Sequence, residues 1–137
     1  MTTTIDGQVE TTLEQTVCRL IAEALGCDPG RVTPAASLMD ELGADSLDFL
    51  DIVFRLERAF AVQITRGQIE AAARGDLTEE EFAPGGVISE RGLARLRTLM
   101  PDAAARIQPG LRPREIMTLF SATTFANIVR GARDAAQ

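Results

Sequence analysis

The sequence predicts an all-α fold in a single domain, and three observations carry this prediction. The chain has 137 residues, of which 45% are apolar and 25% charged, as in an ordinary globular domain. Apolar residues recur every three or four positions over residues 9–25 and 46–60, which is the helical period. Pro and Gly fall outside both segments. We therefore expect helices joined by loops in one domain over residues 1–137.

The first predicted helix covers about residues 9–25 and ends before Gly26, a residue typical of the position after a helix. Residues 27–45 are predicted to form a long loop, because Pro and Gly recur through them. The helix should turn inward Val9, Leu13, Val17, Leu20, Ile21 and Ala24, and the loop should be anchored by Val32, Leu38, Met39 and Leu42.

The most regular helical pattern of the chain lies in residues 46–60. Asp45 stands immediately before it, where an acceptor side chain caps the first N–H groups of a helix. Val62 and Ile64 follow as a short extended piece over the core. The helix should have a buried stripe of Phe49, Val53, Leu56 and Phe60, with Ile52 at its side, and a solvent face of Asp48, Asp51, Arg55 and Arg58.

The second half of the chain has shorter patterns. We expect a helix over residues 68–73, a turn or two over residues 102–107 and a short helix over residues 114–120. Between them, a helix from the N-cap Ser89 to about Met100 should bury Leu93, Leu96 and Leu99 or Met100, with Arg91 and Arg95 along its other face. The last helix should be capped by Thr123 or Thr124 and bury Phe125, Ile128 and Val129.

The composition excludes many chemistries, because the chain has no His, Lys, Trp or Tyr. Without His and Lys there is no His-based triad, His metal ligand, Schiff base or P-loop lysine. Cys18 and Cys27 have neither metal nor redox spacing, so no metal site is expected. The acidic groups at residues 40–41 and 79–81 are interpreted as solvated charges of a loop or a helix start. We predict no catalytic residue and no enzyme activity.

The charge of the chain indicates the kind of partner it meets. The net charge of −6 argues against nucleic-acid binding and favours partners with basic patches. The charge is uneven: residues 1–85 hold 16 acids and 6 arginines, whereas residues 86–137 hold 4 acids and 8 arginines. No run of about 18 apolar residues is present, and the N-terminus lacks export features. We expect a cytoplasmic monomer with no membrane insertion.

One segment combines features that suit a covalent modification. Leu42 anchors the end of the loop, and Gly43 permits a tight approach to the next helix. With Asp45 as the cap, Ser46 falls in the first helical turn with its hydroxyl toward water. The helix dipole and unpaired N–H groups there would favour a phosphate ester on Ser46 by roughly 0.3–1 kcal/mol.

The residues around Ser46 make a longer pattern that resembles the acyl carrier protein family. The pattern is Leu-Gly-x-Asp-Ser-Leu at residues 42–47, followed by Asp48, Leu50, Asp51, Val53, Leu56, Glu57, Phe60, Val62 and Ile64. The resemblance covers residues 9–70 and resumes at residues 123–129, where the chain resembles the start of the family's last helix. It implies an antiparallel four-helix bundle whose second helix begins at the modified serine.

The resemblance also implies a cofactor and partners. Ser46, flanked by Gly43, Asp45 and Leu47, would carry 4′-phosphopantetheine taken from coenzyme A by a phosphopantetheinyl transferase. The thiol of that group would hold an acyl chain as a thioester for a dedicated acyl ligase, ketosynthase or acyltransferase. The chain would then be a specialised, free-standing carrier for fatty-acid, lipid or polyketide-type enzymes.

Two other functions stay open on the sequence. Aminoacyl (peptidyl) carriers share the fold, although they usually have a basic or aromatic residue where this chain has Asp45. Asp45 therefore favours fatty-acyl or polyketide-type cargo. The other alternative, a carrier-fold interaction module without a prosthetic group, would leave Ser46 unmodified.

The chain departs from the family pattern in two places. The family's second helix is acidic on its docking face, whereas this chain continues from Asp48 and Asp51 to Arg55 and Arg58. Leu47, Leu50 and Phe54 are the expected apolar contacts of the same face. The chain is also longer, with an insertion at about residues 72–112 before the last helix. Because a structureless loop of that length is uncommon in a compact domain, we expect a packed helical insert.

Overall fold

The computed structural model describes the backbone of residues 5–135 and the side chains of residues 13–65 and 67–134. Within residues 5–135, six α-helices span Ile5–Leu25 (α1), Ser46–Phe60 (α2), Arg66–Arg74 (α3), Glu79–Phe82 (α4), Glu90–Leu99 (α5) and Ala122–Ala135 (α6). Four 3₁₀ segments lie at Pro29–Arg31, Pro84–Gly86, Pro101–Arg106 and Pro113–Leu119. Residues 5–135 contain no strand, so the all-α prediction is confirmed.

The bundle is organised around α1, which packs against both α2 and α6. The helices between α2 and α6 join the same core, because α5 contacts both α3 and α6. Of the side chains predicted to face inward from α1, Leu13, Val17, Leu20 and Ile21 are buried. Ala24 is half-buried, and the side chain of Val9 lies outside the described residues.

Three phenylalanine rings fill the centre of the core. Phe49 of α2 lies 5.8 Å from Phe120 and 5.8 Å from Phe125, and the last two rings are 5.3 Å apart at a near-perpendicular angle. Tilted and edge-to-face arrangements are the favourable ones for aromatic rings. We call these residues the phenylalanine trio. It joins α2, α6 and the short turn before α6.

The bounds of α2 match the prediction from Ser46 to Phe60, but its buried stripe also includes Ile52. Phe49, Ile52 and Leu56 are the buried residues, whereas Val53 and Phe60 are only half-buried. The predicted stripe is confirmed at Phe49 and Leu56, and Val53 and Phe60 pack against the core while half-buried. Ile52, predicted at the side of the stripe, is fully buried. The Arg133 guanidinium lies over the Phe60 ring, 4.9 Å from the centroid, which is the geometry of a cation–π contact.

The end of α2 turns sharply into a short extended segment. Ala61 adopts a left-handed conformation (φ 55°) at the C-cap, although it is not glycine. Ile64 is buried, Val62 is half-buried, and the Ile64 N–H donates to the Glu57 carboxylate at 2.8 Å. The predicted extended piece over the core is confirmed.

In α5, the predicted cap and inward face are confirmed. The Ser89 hydroxyl accepts from the Gly92 N–H at 3.1 Å, and Leu93, Leu96, Leu99 and Met100 are all buried. The predicted position of Arg95 beside Arg91 on the solvent face was wrong. Arg91 is exposed, whereas Arg95 lies across Gly75 with its Nε buried and unpaired.

The last helix begins one residue earlier than its predicted cap. Ser121 precedes α6 and exchanges hydrogen bonds with Thr124: the Ser121 N–H donates to the Thr124 hydroxyl at 3.2 Å, and the Thr124 N–H donates to the Ser121 hydroxyl at 3.4 Å. The prediction that Thr123 or Thr124 caps the helix was therefore wrong. Thr123 instead donates from its hydroxyl to the Pro34 carbonyl at 3.1 Å. The side chains of Phe125, Ile128 and Val129 are buried as predicted.

Candidate functional site

Ser46 is the first residue of α2 and is exposed to solvent. Asp45 precedes it in extended conformation and accepts from the Asp48 N–H at 2.9 Å. The Asp48 carboxylate in turn accepts from the Asp45 N–H at 3.0 Å. This reciprocal pair is a capping box built from two aspartates, and it fixes the helix start at the serine.

The first turn of α2 leaves donors available beside Ser46. Within the described structure, neither the N–H groups of Ser46 and Leu47 nor the Ser46 hydroxyl have a hydrogen-bond partner. Unpaired N–H groups and the positive end of the helix dipole favour a phosphate group at this position. An exposed, unengaged hydroxyl next to these donors fits the attachment of a phosphodiester-linked arm.

The loop before α2 is held by one buried serine that the sequence analysis did not single out. Ser37 donates its N–H to the Glu41 carboxylate at 3.0 Å, and its carbonyl accepts from the N–H groups of Glu41 and Leu42. Gly43 then adopts a positive φ of 75°, and the Ala44 N–H donates to the Leu38 carbonyl at 2.8 Å. These bonds turn the loop so that the chain enters α2 at Asp45.

The same loop is tied to the chain just before α6. The Leu38 N–H donates to the Phe120 carbonyl at 2.9 Å, and the Ser37 hydroxyl donates to the Thr118 carbonyl at 2.9 Å. On the surface, Arg106 pairs with Asp40 at 2.6 Å. No local signal in the sequence pairs residues this far apart, so sequence analysis could not find Arg106 as a neighbour of the loop.

The predicted docking residues of α2 lie on its solvent side. Leu47 is 75% exposed, Leu50 50% and Phe54 51%, and with Met117 they are the large apolar residues exposed in the described part of the chain. Arg58 is also exposed. Scattered exposed apolar residues are ordinary, but three on one helix face form a surface suited to protein contact.

The charges predicted for the same face are mostly engaged within the chain. Asp48 is half-buried in the capping box. Asp51 pairs with Arg55 at 3.0 Å, and Arg55 also reaches Glu23 of α1 at 3.4 Å. The predicted solvent face is therefore only partly exposed: Asp48, Asp51 and Arg55 are half-buried, and Arg58 is exposed.

The other reactive groups give no sign of catalysis. The described residues contain no cluster of three or more acidic or Cys side chains able to bind a metal ion. Burial raises the pKa of the Cys18 thiol, and the Glu14 carboxylate raises it further, so the reactive thiolate is disfavoured. Glu81 caps its own helix by accepting from the Thr78 N–H at 3.0 Å, as expected of a helix-start charge. No helix within residues 5–135 has the length and apolar character needed to cross a membrane.

Comparison with known proteins agrees with this geometry. The family model described as "Phosphopantetheine attachment site" matches residues 15–74, from α1 to the last residue of α3. The acyl carrier protein AcpXL of Brucella melitensis biotype 1 and that of Brucella suis biovar 1 are each 40% identical over 67 residues. The alignment covers 48% of this chain and 72% of each relative. No solved structure matches the chain significantly.

The match places the site helix, the loop before it and α3 within one known family of proteins. The resemblance seen in residues 42–64 is thereby confirmed, and the cofactor of this family is 4′-phosphopantetheine. Proteins of this kind are carriers rather than enzymes, in keeping with a chain that has neither His nor Lys. The chain belongs to the acyl carrier protein family.

Proposed function

We propose that Ser46 is the attachment site of 4′-phosphopantetheine and that the chain carries an acyl group for a dedicated pathway. The observation that carries this proposal is the exposed, unengaged hydroxyl at the first residue of α2, inside the segment that matches the attachment-site family. When bound, the prosthetic group supplies a thiol that holds the acyl chain as a thioester.

The chain's own residues have three tasks in this proposal. The capping box of Asp45 and Asp48 holds the start of α2, so that Ser46 is presented at a fixed position. The free first-turn N–H groups of Ser46 and Leu47 would hold the phosphate of the group by hydrogen bonds. Gly43 and the Ser37 hydrogen bonds hold the loop clear of the serine, which leaves the hydroxyl open to a transferase.

We propose an acyl cargo of the fatty-acyl or polyketide type. Asp45 before the serine supports an acyl cargo over an aminoacyl cargo, and both Brucella relatives bear the name acyl carrier protein. Candidate products are unusual lipids, long-chain acyl groups for an envelope lipid, and polyketide-like metabolites. The proposed partners are a phosphopantetheinyl transferase and an acyl ligase, ketosynthase or acyltransferase. We place this exchange in the cytoplasm, with the carrier a monomer.

We also propose that the chain is one carrier domain with an insertion at about residues 72–112. The family match ends at Arg74, and residues 72–74 still belong to α3. The buried side chains of α5 belong to the same apolar cluster as those of α1, α2 and α6, which supports a packed addition. The proposed docking face comprises Leu47, Asp48, Leu50, Asp51, Phe54, Arg55 and Arg58.

Intact mass spectrometry tests the attachment site. The chain is incubated with coenzyme A and a broad-specificity phosphopantetheinyl transferase, and the wild type should gain the mass of one phosphopantetheine. Ser46→Ala should stay unmodified while keeping the wild-type helix content and melting temperature, because the hydroxyl has no partner to lose.

A matched control is Ser37→Ala, which removes the serine of the loop before α2. It should weaken the fold through its lost hydrogen bonds, yet should still be modified when folded. Modification of Ser46→Ala would overturn the proposed site. If no broad-specificity transferase modifies the wild type, the carrier proposal is overturned. The alternative function, an interaction module that has no prosthetic group, would then remain.

A further inference from the structure

Two arginines at the turn after α3 have donor groups that the fold does not satisfy. Arg74 is the last residue of α3, and Arg95 of α5 lies across the next residue, Gly75. The Nε atoms of both side chains are buried and have no hydrogen-bond partner. Most buried polar groups in proteins have a partner, so two unpaired donors at one turn point to a missing acceptor. We call Arg74 and Arg95 the arginine pair.

The acids around this turn do not fill these donors. Glu79 lies 3.8 Å from Arg74, which is an ion pair but too long for a hydrogen bond, and its side chain is 86% exposed. In the described part of the chain, no acid lies within ion-pair distance of Arg95, and no side-chain hydrogen bond comes from either arginine. Glu79 and the exposed Asp76 keep their negative charges. The turn therefore offers a ligand unfilled donors and not a large excess of positive charge.

The terminal amino groups of the arginine pair are the donors that a ligand can reach. Both side chains are half-buried, and of their nitrogens only the Nε atoms are enclosed. Each guanidinium therefore presents its two Nη atoms to solvent while its Nε lies against the fold. Two such groups, from two different helices, match the several oxygens of a tetrahedral oxyanion better than the two oxygens of one carboxylate.

Gly75 makes this arrangement possible. A Cβ at this position would lie against Arg95 Nε and 2.8 Å from Arg95 Cδ, so another residue would displace the arginine. With glycine, Arg95 can cross the turn beside Arg74. Arg74 ends the segment that matches the family, and Arg95 belongs to the part that follows it. A ligand held by both would therefore join the two parts of the chain.

We infer that the arginine pair binds a phosphate group, either inorganic phosphate or the terminal phosphate of an ester, which bridges α3 and α5. The Nη groups donate to the phosphate oxygens, and the anion supplies the acceptors that the fold lacks. Such a site lies outside the proposed carrier function, because neither arginine belongs to α2 or to the loop before it.

Titration of the unmodified chain with inorganic phosphate tests the site. Calorimetry in a phosphate-free Tris chloride buffer at constant ionic strength measures the dissociation constant, and thermal unfolding measures the coupling to the fold. The melting temperature of the wild type should rise by roughly 3–6 °C when phosphate exceeds the dissociation constant about tenfold. Parallel titrations with glycerol 3-phosphate and with acetate distinguish a phosphate ester from free phosphate, and either from a carboxylate.

Arg95→Ala and Arg74→Ala should each weaken phosphate binding by about tenfold or more, because each removes charge-assisted hydrogen bonds. Gly75→Ala should also weaken it, because the new Cβ displaces Arg95. If Gly75→Ala does not fold, the two arginine variants still decide the test. The matched control is Arg31→Ala, at an exposed arginine of the segment after α1, which should change the dissociation constant by less than about twofold.

The phosphate site is refuted if the wild type does not bind phosphate or its ester, or if Arg31→Ala weakens binding as much as Arg95→Ala does. Tighter binding of acetate than of phosphate would assign the arginine pair to a carboxylate instead. A rise in melting temperature that persists in both arginine variants would show a general effect of the ion on the chain. Modification at Ser46 is measured separately, so its failure would leave the phosphate result standing.

Discussion

The part of the chain that matches the family and the part that follows it are built differently. Residues 15–74 contain two long helices, α1 and α2, and end with α3. Residues 75–121 contain the short α4 and α5 and three of the four 3₁₀ segments, each begun by a proline. Long helices hold the site, whereas short elements closed by caps and turns cover the core beside it.

Despite this difference, the two parts share one core. Leu96 and Met100 are as fully buried as Ile52 and Leu56 of α2, and all four belong to one apolar cluster. The comparison teaches that a short helix between turns can be as well packed as a long one. The following three experiments test how closely the two parts depend on each other.

The largest effect is expected from a charge placed under α5. Leu96→Asp should lower the free energy of unfolding by at least about 3 kcal/mol, because it removes apolar burial and buries a carboxylate. Urea unfolding followed by circular dichroism measures the loss. Ala94→Asp, at an exposed position of the same helix, should change stability by less than about 1 kcal/mol. Equal stability of both variants would mean that residues 75–121 do not support the bundle.

An intermediate effect is expected where the two parts meet, at Gly75. Its φ of 61° and ψ of −128° suit only glycine, and a Cβ there would lie 2.8 Å from Arg95 Cδ. Gly75→Ala should cost about 2–4 kcal/mol, from strain and overpacking together. Gly43 also has a positive φ, of 75°, but a Cβ added there would have no atom within 4 Å. Gly43→Ala should therefore lower the free energy of unfolding by only about 1–2 kcal/mol.

The contribution of the close approach can be separated from the backbone strain. In an Arg95→Ala background, Gly75→Ala should lose its overpacking cost and keep the cost of its backbone strain. The melting temperatures of the wild type, Gly75→Ala, Arg95→Ala and the double variant measure how much of the cost of Gly75→Ala depends on Arg95. An unchanged cost in that background would show that backbone strain alone makes Gly75 sensitive.

The smallest effect is expected from the surface ion pair between Arg106 and Asp40. Both side chains are about half exposed, so the pair should contribute only about 0.2–1 kcal/mol. A double-mutant cycle with Asp40→Ala and Arg106→Ala measures the coupling, which should decrease with salt. Zero coupling at low salt would mean that the site loop is held to the later segment by the bonds of Leu38 to Phe120 and of Ser37 to Thr118, and not by the ion pair.

Sequence analysis worked best where local signals agreed with each other. The bounds of α2 were predicted from Ser46 to Phe60 because an Asp cap, an apolar period and the absence of Gly and Pro coincide there. The cap at Ser89 and the buried leucines of α5 were found for the same reason. The candidate site at Ser46 depends on these local signals, so its position could be predicted.

Features set by tertiary contacts could not be predicted in the same way. Arg95 occupies a solvent-facing position in a helical period, but α3 covers it and brings it onto Gly75. Arg55 is partly neutralised by Glu23, a residue of another helix. The surroundings of the charges on the docking face therefore depend on packing between helices, which the helical pattern of α2 alone does not show.

The phenylalanine trio gives the molecule an internal optical reporter. The chain has neither Trp nor Tyr, so its six Phe rings are its aromatic chromophores, and three of them meet where the site helix, the turn before α6 and α6 itself join. Near-ultraviolet dichroism of aromatic rings depends on fixed packing and disappears when packing loosens. The fine structure of the phenylalanine bands in the near-ultraviolet dichroism spectrum therefore reports on whether α2 stays packed against α6 and the turn before it.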